Sequence, residues 1–273
     1  MNNTQEYPEN ASVGMKRIVD FINIYAKQNK LKNKDVNILD WGCGKGEDVL
    51  WLLNKGYSVY GVDIDEDRIK GGMLLLDNNG HNKARLSTFN DNKTVLDEKH
   101  IDIIFSKQVL EHVRDINAVA KEMKRLLSDK GQCFHIFPAH MHINERHLFM
   151  PLIHWLPKNI LRKTVIATYV YCGIHPKWDA IDKLSNSEKI DSYYRYSINN
   201  TYYRSFWHIK NIFEKAGFCV KFNVLDHPKL HEKQFISSLV SNGIIIRKII
   251  NFLLLTFVSI EVVLSSKNKI SND

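Results

Sequence analysis

The sequence predicts an α/β protein built on a mostly parallel sheet, and three observations carry this prediction. Segments typical of strands and of helices alternate over about a hundred residues, beginning near Ile38. A loop with glycine at 42, 44 and 46 lies between the first strand-like segment and the helical pattern that follows it. A nearly continuous apolar run at 101–106 is typical of a strand buried on both faces of a parallel sheet. Alternation of this kind gives parallel strands joined by right-handed crossovers.

Composition limits both the domain count and the class of partner. The chain of 273 residues, with 44% hydrophobic and 25% charged residues, has room for one large globular domain with an insertion. Its net charge is +8, but the lysines are scattered and no arginine-rich stretch alternates with aromatic residues. Nucleic acid is therefore not an expected partner, whereas attraction to an anionic membrane surface stays open.

The cysteines and the chain ends indicate the compartment. The four cysteines are far apart and form no C-x-x-C pair, so we expect neither a disulfide nor a zinc site and assign no metal ligand. The polar segment 1–14 lacks the apolar region of a signal peptide. We expect a cytoplasmic protein, with peripheral contact to the inner face of the membrane left open. Its domain spans 15–265 between polar tails at 1–14 and 266–273.

The first elements lead into the glycine loop. Apolar residues between 15 and 25 recur at helical spacing, and 38–41 is predicted as the first strand. Glycines permit left-handed backbone and let a ligand lie against the main chain, and the helix start behind the loop presents free N–H groups. A nucleotide-like ligand is therefore predicted, with a purely structural turn as the alternative. A dinucleotide is disfavoured because Glu47 stands where its fingerprint requires a third glycine.

A second strand is predicted over 58–63 and ends on Asp63. In nucleotide-binding sheets an acid about 20 residues beyond such a loop hydrogen-bonds ribose hydroxyls, so we predict this role for Asp63. The alternative is that Asp63 or Asp65 caps the helix starting near Glu66, and Asp65 is the better cap candidate.

The remaining elements continue the alternation as far as a helical insertion. Further strands are predicted at 84–89, 101–106, 132–137, 219–225 and 257–265, and helices at 116–127, 206–216 and 244–254. The first of these helices should end at Lys130 and Gly131. The apolar and aromatic segment 138–204 is predicted to be a lid over a second substrate, with a dimer face or a membrane-contact patch as alternatives. Charged residues interrupt the apolar stretch 243–264, so no membrane span is predicted.

Several of these segments together resemble one family. They are the loop 40–46, the strand-end Asp63, the blocks 102–106 and 109–113 with Asp115, and the helix and turn at 122–131. In order and spacing they resemble the class I S-adenosylmethionine-dependent methyltransferases over about residues 15–140. The resemblance implies a Rossmann-like fold whose seven strands lie in the order 3-2-1-4-5-7-6, with an antiparallel last strand. It also implies S-adenosyl-L-methionine as the cofactor.

The resemblance implies a role for each matching residue. The methionine end of the cofactor would contact Asp40, Gly42, Cys43, Gly44 and Gly46. Asp63 would take the ribose hydroxyls, Ile64 would lie against the adenine, and Asn90, or alternatively Asp91, would reach the adenine amino group. Ser106, Lys107 and Gln108 would pass under the sulfonium. Lys107 departs from the pattern, because a cation near a sulfonium is unfavourable unless its side chain points away.

The chemistry then requires positioning and, for a hydroxyl acceptor, a base. Four histidines follow the fifth strand, at 140, 142, 147 and 154, and His140 and His147 are the candidate bases. His112 fits a supporting or capping role at least as well as a catalytic one.

We therefore predict methyl transfer, on oxygen, to a small-molecule, sugar or lipid-linked acceptor. A protein or RNA methyltransferase is the first alternative, although the Pro-Pro motif of many N-methyltransferases is absent at 106–109. A catalytically silent scaffold that keeps the fold is the second. The oligomeric state does not follow from the sequence.

Overall fold

A computed structural model describes residues 13–89, 93–226 and 244–266, and a seven-stranded sheet forms its centre. The strands are β1 (Asn37–Trp41), β2 (Ser58–Asp63), β3 (Leu86–Thr88), β4 (Ile101–Lys107), β5 (Leu127–Pro138), β6 (Phe218–Phe222) and β7 (Ser259–Ser266). Their order is β3-β2-β1-β4-β5-β7-β6, and β7 runs antiparallel to both of its neighbours. The predicted α/β class, the strand order and the antiparallel last strand are confirmed.

Nine helices are described around this sheet. They are α1 (Val13–Gln28), α2 (Glu47–Asn54), α3 (Glu66–Asn78), α4 (Ile116–Leu126), α5 (Ile160–Tyr171), α6 (Asp179–Asp182), α7 (Asn186–Asn199), α8 (Phe206–Lys215) and α9 (Ile244–Phe257). None of the described helices has the length and apolar character needed to cross a bilayer.

Both faces of the sheet are buried, as the apolar strands predict. Along β1, Ile38 packs in a cluster that includes residues of α1, α2 and α3. The next residue, Leu39, packs on the opposite face in a cluster that includes residues of α4 and α8. Successive side chains of a strand point to opposite faces, so β1 supplies both cores. The three layers fix the sheet firmly beneath the loops at its edge.

The carboxyl ends of three strands meet at one edge of the sheet. β1 lies between β2 and β4 and is parallel to both, with Ile38 paired to Val59 on one side and to Ile103 on the other. Parallel strands end at the same edge, where open α/β sheets bind their ligands. The glycine loop, Asp63 and Lys107 therefore lie at a common edge.

Several predicted boundaries were wrong. Helix α1 begins at Val13, inside the predicted tail, and β7 includes Ser266. β5 begins at Leu127, because Leu127 pairs with Ile101 through an irregularity in the ladder before the expected stop at Gly131. Strand six ends at Phe222, and α9 continues to Phe257, so β7 starts at Ser259 and not at 257.

The segment 138–204 is helical and has a core of its own. It contains α5, α6 and α7, and α7 begins with a capping box in which Ser185 and Glu188 exchange hydrogen bonds. The buried apolar residues of this unit form one cluster: Leu148, Met150, Ile153, Ile166, Val170, Ile190 and Tyr193. The insertion is therefore a packed unit beside the sheet edge and not an extended loop.

Candidate functional site

The glycine loop has the backbone that its sequence predicts. Gly42, Gly44 and Gly46 have φ of 80°, 56° and 71°, in the left-handed region. The amides of Gly42 and Cys43 both donate to the carbonyl oxygen of Val62 in β2, at 2.7 and 3.0 Å. These two hydrogen bonds hold the loop against the neighbouring strand and leave its outer side free to face a ligand.

Asp63 holds the loop from the end of β2. One of its carboxylate oxygens accepts a hydrogen bond from the amide of Gly44 at 2.8 Å, and the other accepts from the amide of Asp65 at 3.0 Å. Asp65 caps α3, since its side chain accepts from the amides of Asp67 and Arg68. The predicted cap at Asp65 is confirmed, and Asp63 does not serve as this cap. Its ribose contact stays a prediction.

Acidic side chains surround the loop. Asp40 is only 4% exposed, and its pKa is raised well above the ordinary value by burial and by the nearby Asp48, with Lys107 acting in the opposite direction. The ammonium of Lys107 donates to Asp48 at 2.7 Å, so its charge is directed to this carboxylate. We call Asp40, Asp48, Asp63, Lys107 and the loop 42–46 the glycine-loop edge. It holds three carboxyl groups and two ammonium groups, because the exposed Lys45 belongs to the loop. The raised pKa of Asp40 indicates that a cation beside it would favour its ionised form.

Two of the predicted side chains point away from this edge. Ser106 is fully buried, and its hydroxyl shares a 2.8 Å hydrogen bond with Nδ1 of His135. The sulfur of Cys43 packs on Gly61, because a Cβ added to Gly61 would lie 2.8 Å from this sulfur. Burial raises the pKa of the Cys43 thiol. The Ser106 hydroxyl and the Cys43 sulfur are therefore directed into the protein, and the cofactor contacts of these two residues stay predictions for their main chain.

The other predicted residues have different surroundings. Gln108 has φ of 57°, and its amide donates to the carbonyl of Ile136 at 2.8 Å, so β4 ends in a sharp turn. Ile64 is 75% exposed at the end of β2, where a planar ring could cover it. Asn90, like its alternative Asp91, lies outside the described residues.

The space around each glycine shows which side of the loop is open. A Cβ on Gly42 would come within 2.5 Å of Val109, and a Cβ on Gly46 would come within 2.9 Å of Leu86. A Cβ on Gly44 would meet nothing within 4 Å. Gly42 and Gly46 therefore allow the loop to pack on the protein, whereas Gly44 borders the free volume that a ligand can fill.

The two candidate bases lie in separate places. His140 follows β5 and lines a cavity of about 290 Å³ between the start and the end of the insertion. His147 lies against Glu111 and His112, with its Nε2 3.9 Å from a carboxylate oxygen of Glu111. Burial opposes protonation of His147, but the carboxylates of Glu111 and Glu145 give a net rise of its pKa. Burial lowers the pKa of His140, which therefore stays neutral at pH 7.

Glu111, His112 and His147 form a group that the sequence analysis did not assign. Their ligand atoms lie within 4.8 Å of one another, a spacing that could hold a metal ion. Glu111 is 2% exposed, and neither of its carboxylate oxygens has a hydrogen-bond partner among the described residues. His112 is also tied to the end of the insertion, because its Nδ1 lies 2.6 Å from the carbonyl of Asn200. His147 comes 35 residues after His112 in the printed sequence, so no local motif joins the three.

The cavity beside His140 is lined by cations and aromatic rings. Its charged residues are Lys158, Arg162 and Arg204, and its remaining lining residues are His140, His154, Thr201, Tyr202 and Tyr203. We call this space the cationic cavity. Burial, followed by repulsion from the neighbouring cations and histidines, lowers the pKa of His154 to about 4, so this ring is neutral at pH 7. The sequence analysis missed the three cations because 158, 162 and 204 follow no recognisable spacing.

The cationic cavity is joined to the glycine-loop edge through the segment after β4. The amide of Tyr202 donates to the carbonyl of Glu111, and the guanidinium of Arg204 donates to the carbonyl of Arg114 at 2.8 Å. That segment begins at Gln108, directly after Lys107. The cavity is therefore connected to the carboxyl end of β4 through this segment.

Comparisons with known proteins agree with this geometry. A family model described as a methyltransferase domain matches residues 9–220. A ubiquinone biosynthesis O-methyltransferase of Pelagibacter ubique is 29% identical over 121 residues, which are 40% of this chain and 49% of that protein. An O-antigen chain terminator bifunctional methyltransferase/kinase of Escherichia coli is 27% identical over 106 residues, 38% of this chain and 15% of that protein. The matches thus span about half or less of these relatives.

Among solved structures, an S-adenosylmethionine dependent methyltransferase from Mesorhizobium loti aligns with 89% of this chain and 97% of its own. The two chains are 14% identical, and the TM-score is 0.48.

Proposed function

The chain belongs to the methyltransferase-domain family and carries an S-adenosylmethionine-dependent methyltransferase domain, and we propose that it methylates an oxygen of a small-molecule, sugar or lipid-linked acceptor. The observation that carries the proposal is the glycine-loop edge, in which Gly44 is hydrogen-bonded to Asp63 and borders an open volume. When bound, the cofactor supplies a methyl group on a positively charged sulfur.

The residues of the edge fit this cofactor. The left-handed loop offers main-chain contacts, and the free side of Gly44 leaves space for the ligand. Asp48 and Asp63 lie beside the buried Asp40, whose raised pKa means that a cationic sulfonium nearby would favour its ionised form, while Lys107 is hydrogen-bonded to Asp48. Asp63 keeps lone pairs for ribose hydroxyls beside the two amides it already accepts from. We assign cofactor contacts to this edge, with the main chain of Cys43, Ser106 and Gln108 and the side chain of Ile64 beside it.

The insertion 138–204 would hold and cover the acceptor. Its own apolar core makes it a stable unit, and its last residues are hydrogen-bonded to the segment after β4. A unit in this position can orient an acceptor hydroxyl and exclude water from the methyl group, which are the main contributions a protein makes to this chemistry. We therefore propose that the insertion is the acceptor lid.

His140 is the preferred base of the two candidates. It lines the cationic cavity, and burial keeps its ring neutral at pH 7, so a ring nitrogen can accept the proton of an acceptor hydroxyl. His147 lies against Glu111, and the carboxylates of Glu111 and Glu145 raise the pKa of its ring, which favours the protonated form that cannot accept a proton. We propose that His147 supports the site and that His140 takes the proton.

Calorimetric titration with S-adenosylmethionine and S-adenosylhomocysteine, with NAD as the control ligand, tests the cofactor. Micromolar affinity for the first two and none for NAD would support the assignment and justify a screen of hydroxyl acceptors with labelled cofactor. A folded protein that binds neither would overturn it and favour the scaffold interpretation.

The His140→Gln variant tests the base. General-base catalysis contributes roughly 100-fold or more, so kcat should fall by about that factor while cofactor affinity stays unchanged. The pKa of His140 is lowered from 6.5. Wild-type kcat should therefore not change with pH near and above pH 7, and it should fall only as the pH drops through that lower pKa. His208→Gln, an exposed histidine on α8, is the matched control. A His140→Gln variant that keeps the wild-type kcat would contradict the assignment. So would a fall of kcat by this factor in His147→Gln but not in His140→Gln.

We also propose that the protein makes a peripheral contact with a membrane surface. Helix α9 exposes apolar side chains, with Ile244 77%, Ile245 74% and Ile249 53% exposed, next to the cations Arg247 and Lys248. Apolar and basic residues together suit an anionic lipid surface. Sedimentation with phosphatidylserine vesicles, but not with phosphatidylcholine vesicles, is the expected result. Equal recovery with both lipids or with neither would count against it.

A further inference from the structure

Among the described residues, no acid forms an ion pair with the cations of the cationic cavity. Lys158, Arg162 and Arg204 all line it, and none of the three forms an ion pair with a described residue. Their donors go instead to main-chain carbonyls. Lys158 donates to Ile198 and Thr201, both at 2.7 Å, and Arg204 donates to Tyr202 and Arg114, both at 2.8 Å. Carbonyl dipoles orient the cations but leave their net charge in place.

Burial makes this charge costly. Arg162 is 4% exposed, donates to the carbonyls of Ser197, His154 and Leu156, and has an Nε without a hydrogen-bond partner in the described part of the chain. A buried charge that is not paired is rare in proteins unless a ligand compensates it. Burial and repulsion from Arg162 and Arg204 lower the pKa of Lys158, which is the consequence expected of cations gathered without an anion.

Two acids act on the arginines of the cavity, and both are hydrogen-bonded elsewhere. Glu145 accepts hydrogen bonds from the amides of His147 and Leu148 and from the hydroxyl of Tyr203 at 2.7 Å. Asp115 caps α4 through the amides of Asn117 and Ala118. Both act on the cations only from a distance. The ring of Tyr202, with the Lys158 ammonium 4.6 Å from its centroid, supplies a weak partial compensation.

We propose that the cationic cavity binds a phosphate group of the methyl acceptor, so that the substrate class is a phosphorylated molecule. This inference rests on the proposed function, because it takes the cavity to be the acceptor site. Two arginines and a lysine line it together, and a dianionic phosphate matches three cations better than a single carboxylate does. The acceptor hydroxyl would then lie toward His140, at the start of the insertion.

Calorimetric titration of the full chain, saturated with S-adenosylhomocysteine, tests the site with glycerol 3-phosphate and with acetate as the carboxylate control. The expected result is binding of the phosphate monoester and at least a tenfold loss of its affinity in Lys158→Gln and Arg204→Gln. Lys163→Gln is the matched control, because Lys163 lies on α5 beside the cavity but pairs with Asp191 at 2.6 Å. Circular dichroism would establish that each variant is folded.

The outcomes separate the two proposals. Binding of S-adenosylhomocysteine without binding of glycerol 3-phosphate, or an equal loss in Lys163→Gln, would overturn the phosphate site and leave the cofactor assignment intact. Phosphate binding that depends on Lys158 and Arg204 in a protein that does not bind S-adenosylhomocysteine would support the site and count against the proposed function. Vesicles with phosphatidic acid form a third arm. Binding only to these, and loss of that binding in Lys158→Gln and Arg204→Gln, would place the phosphate on a lipid, and binding of glycerol 3-phosphate would place it on a soluble acceptor.

Discussion

The glycine-loop edge and the cationic cavity differ in charge. The first gathers Asp40, Asp48 and Asp63 with Lys107 and the exposed Lys45, and the second gathers three cations with no paired acid in the described chain. The first joins a local loop at 40–48 to Asp63 and Lys107, which end the two strands beside β1. The second brings together both ends of the insertion, more than 60 residues apart.

This difference indicates how two ligands are kept apart and aligned. An acidic edge favours a cationic ligand, and a cationic cavity favours an anionic one, so each site repels the ligand of the other. β4 ends at Lys107, which is hydrogen-bonded to Asp48 at the edge. The segment that follows reaches Arg114, whose carbonyl accepts a hydrogen bond from Arg204 of the cavity. Two sites held at a fixed separation provide the positioning on which transfer between two substrates depends.

The largest expected effect comes from filling the free side of Gly44. Gly44→Val should lower affinity for S-adenosylhomocysteine by roughly 100-fold, because its side chain enters the ligand volume, a loss of about 2.7 kcal/mol. Gly56→Val is the matched control, since Gly56 also has positive φ, at 83°, and also has nothing within 4 Å of a Cβ. Both variants should lose about 1–2 kcal/mol of stability through backbone strain. Calorimetry and thermal melting measure the two quantities. If Gly44→Val and Gly56→Val had the same affinity for S-adenosylhomocysteine, the ligand would not lie against this loop.

A smaller effect is expected at the two acids that follow β2. Asp63→Ala should weaken cofactor binding by roughly tenfold, because it removes hydrogen bonds of a charged group, worth about 1.5 kcal/mol or more. Asp65→Ala removes the cap of α3 and should cost about 1 kcal/mol of stability while affinity stays near wild type. Loss of affinity of the same size in both variants would show that Asp63 acts only by ordering the turn.

The smallest effect concerns the lysine of the acidic edge. Lys107→Met removes the cation that offsets Asp40 and Asp48, so S-adenosylmethionine should gain affinity over the uncharged S-adenosylhomocysteine by roughly threefold. Lys70→Met, on the exposed face of α3, provides the control, and its affinity ratio should not change. If the affinity for S-adenosylmethionine relative to S-adenosylhomocysteine fell in Lys107→Met, the proposal that the edge favours a cationic ligand would be contradicted.

The glycine-loop edge could largely be predicted because its signals are local. The spacing of Gly42, Gly44 and Gly46, the acid at Asp63 and the buried apolar strands each depend on short-range rules. The predictions failed where a tertiary contact decided the outcome. β5 begins early because Leu127 pairs with Ile101.

The cationic cavity could not be predicted, since its members follow no period. Lys158, Arg162 and Arg204 resemble ordinary surface cations in the sequence, and His140 and His147 look equivalent. Packing of the insertion against the segment after β4 separates the two histidines and gathers the cations.

The sequence by itself determined the α/β class and the position of the glycine loop, because hydrophobic periodicity and glycine conformation act over a few residues. The strand order came from the resemblance of its motifs to the methyltransferase family. The tertiary structure decided which side chains face a ligand, which acids are paired and where positive charge collects. Those properties depend on burial and on distances between segments far apart in the chain, and no local pattern encodes them.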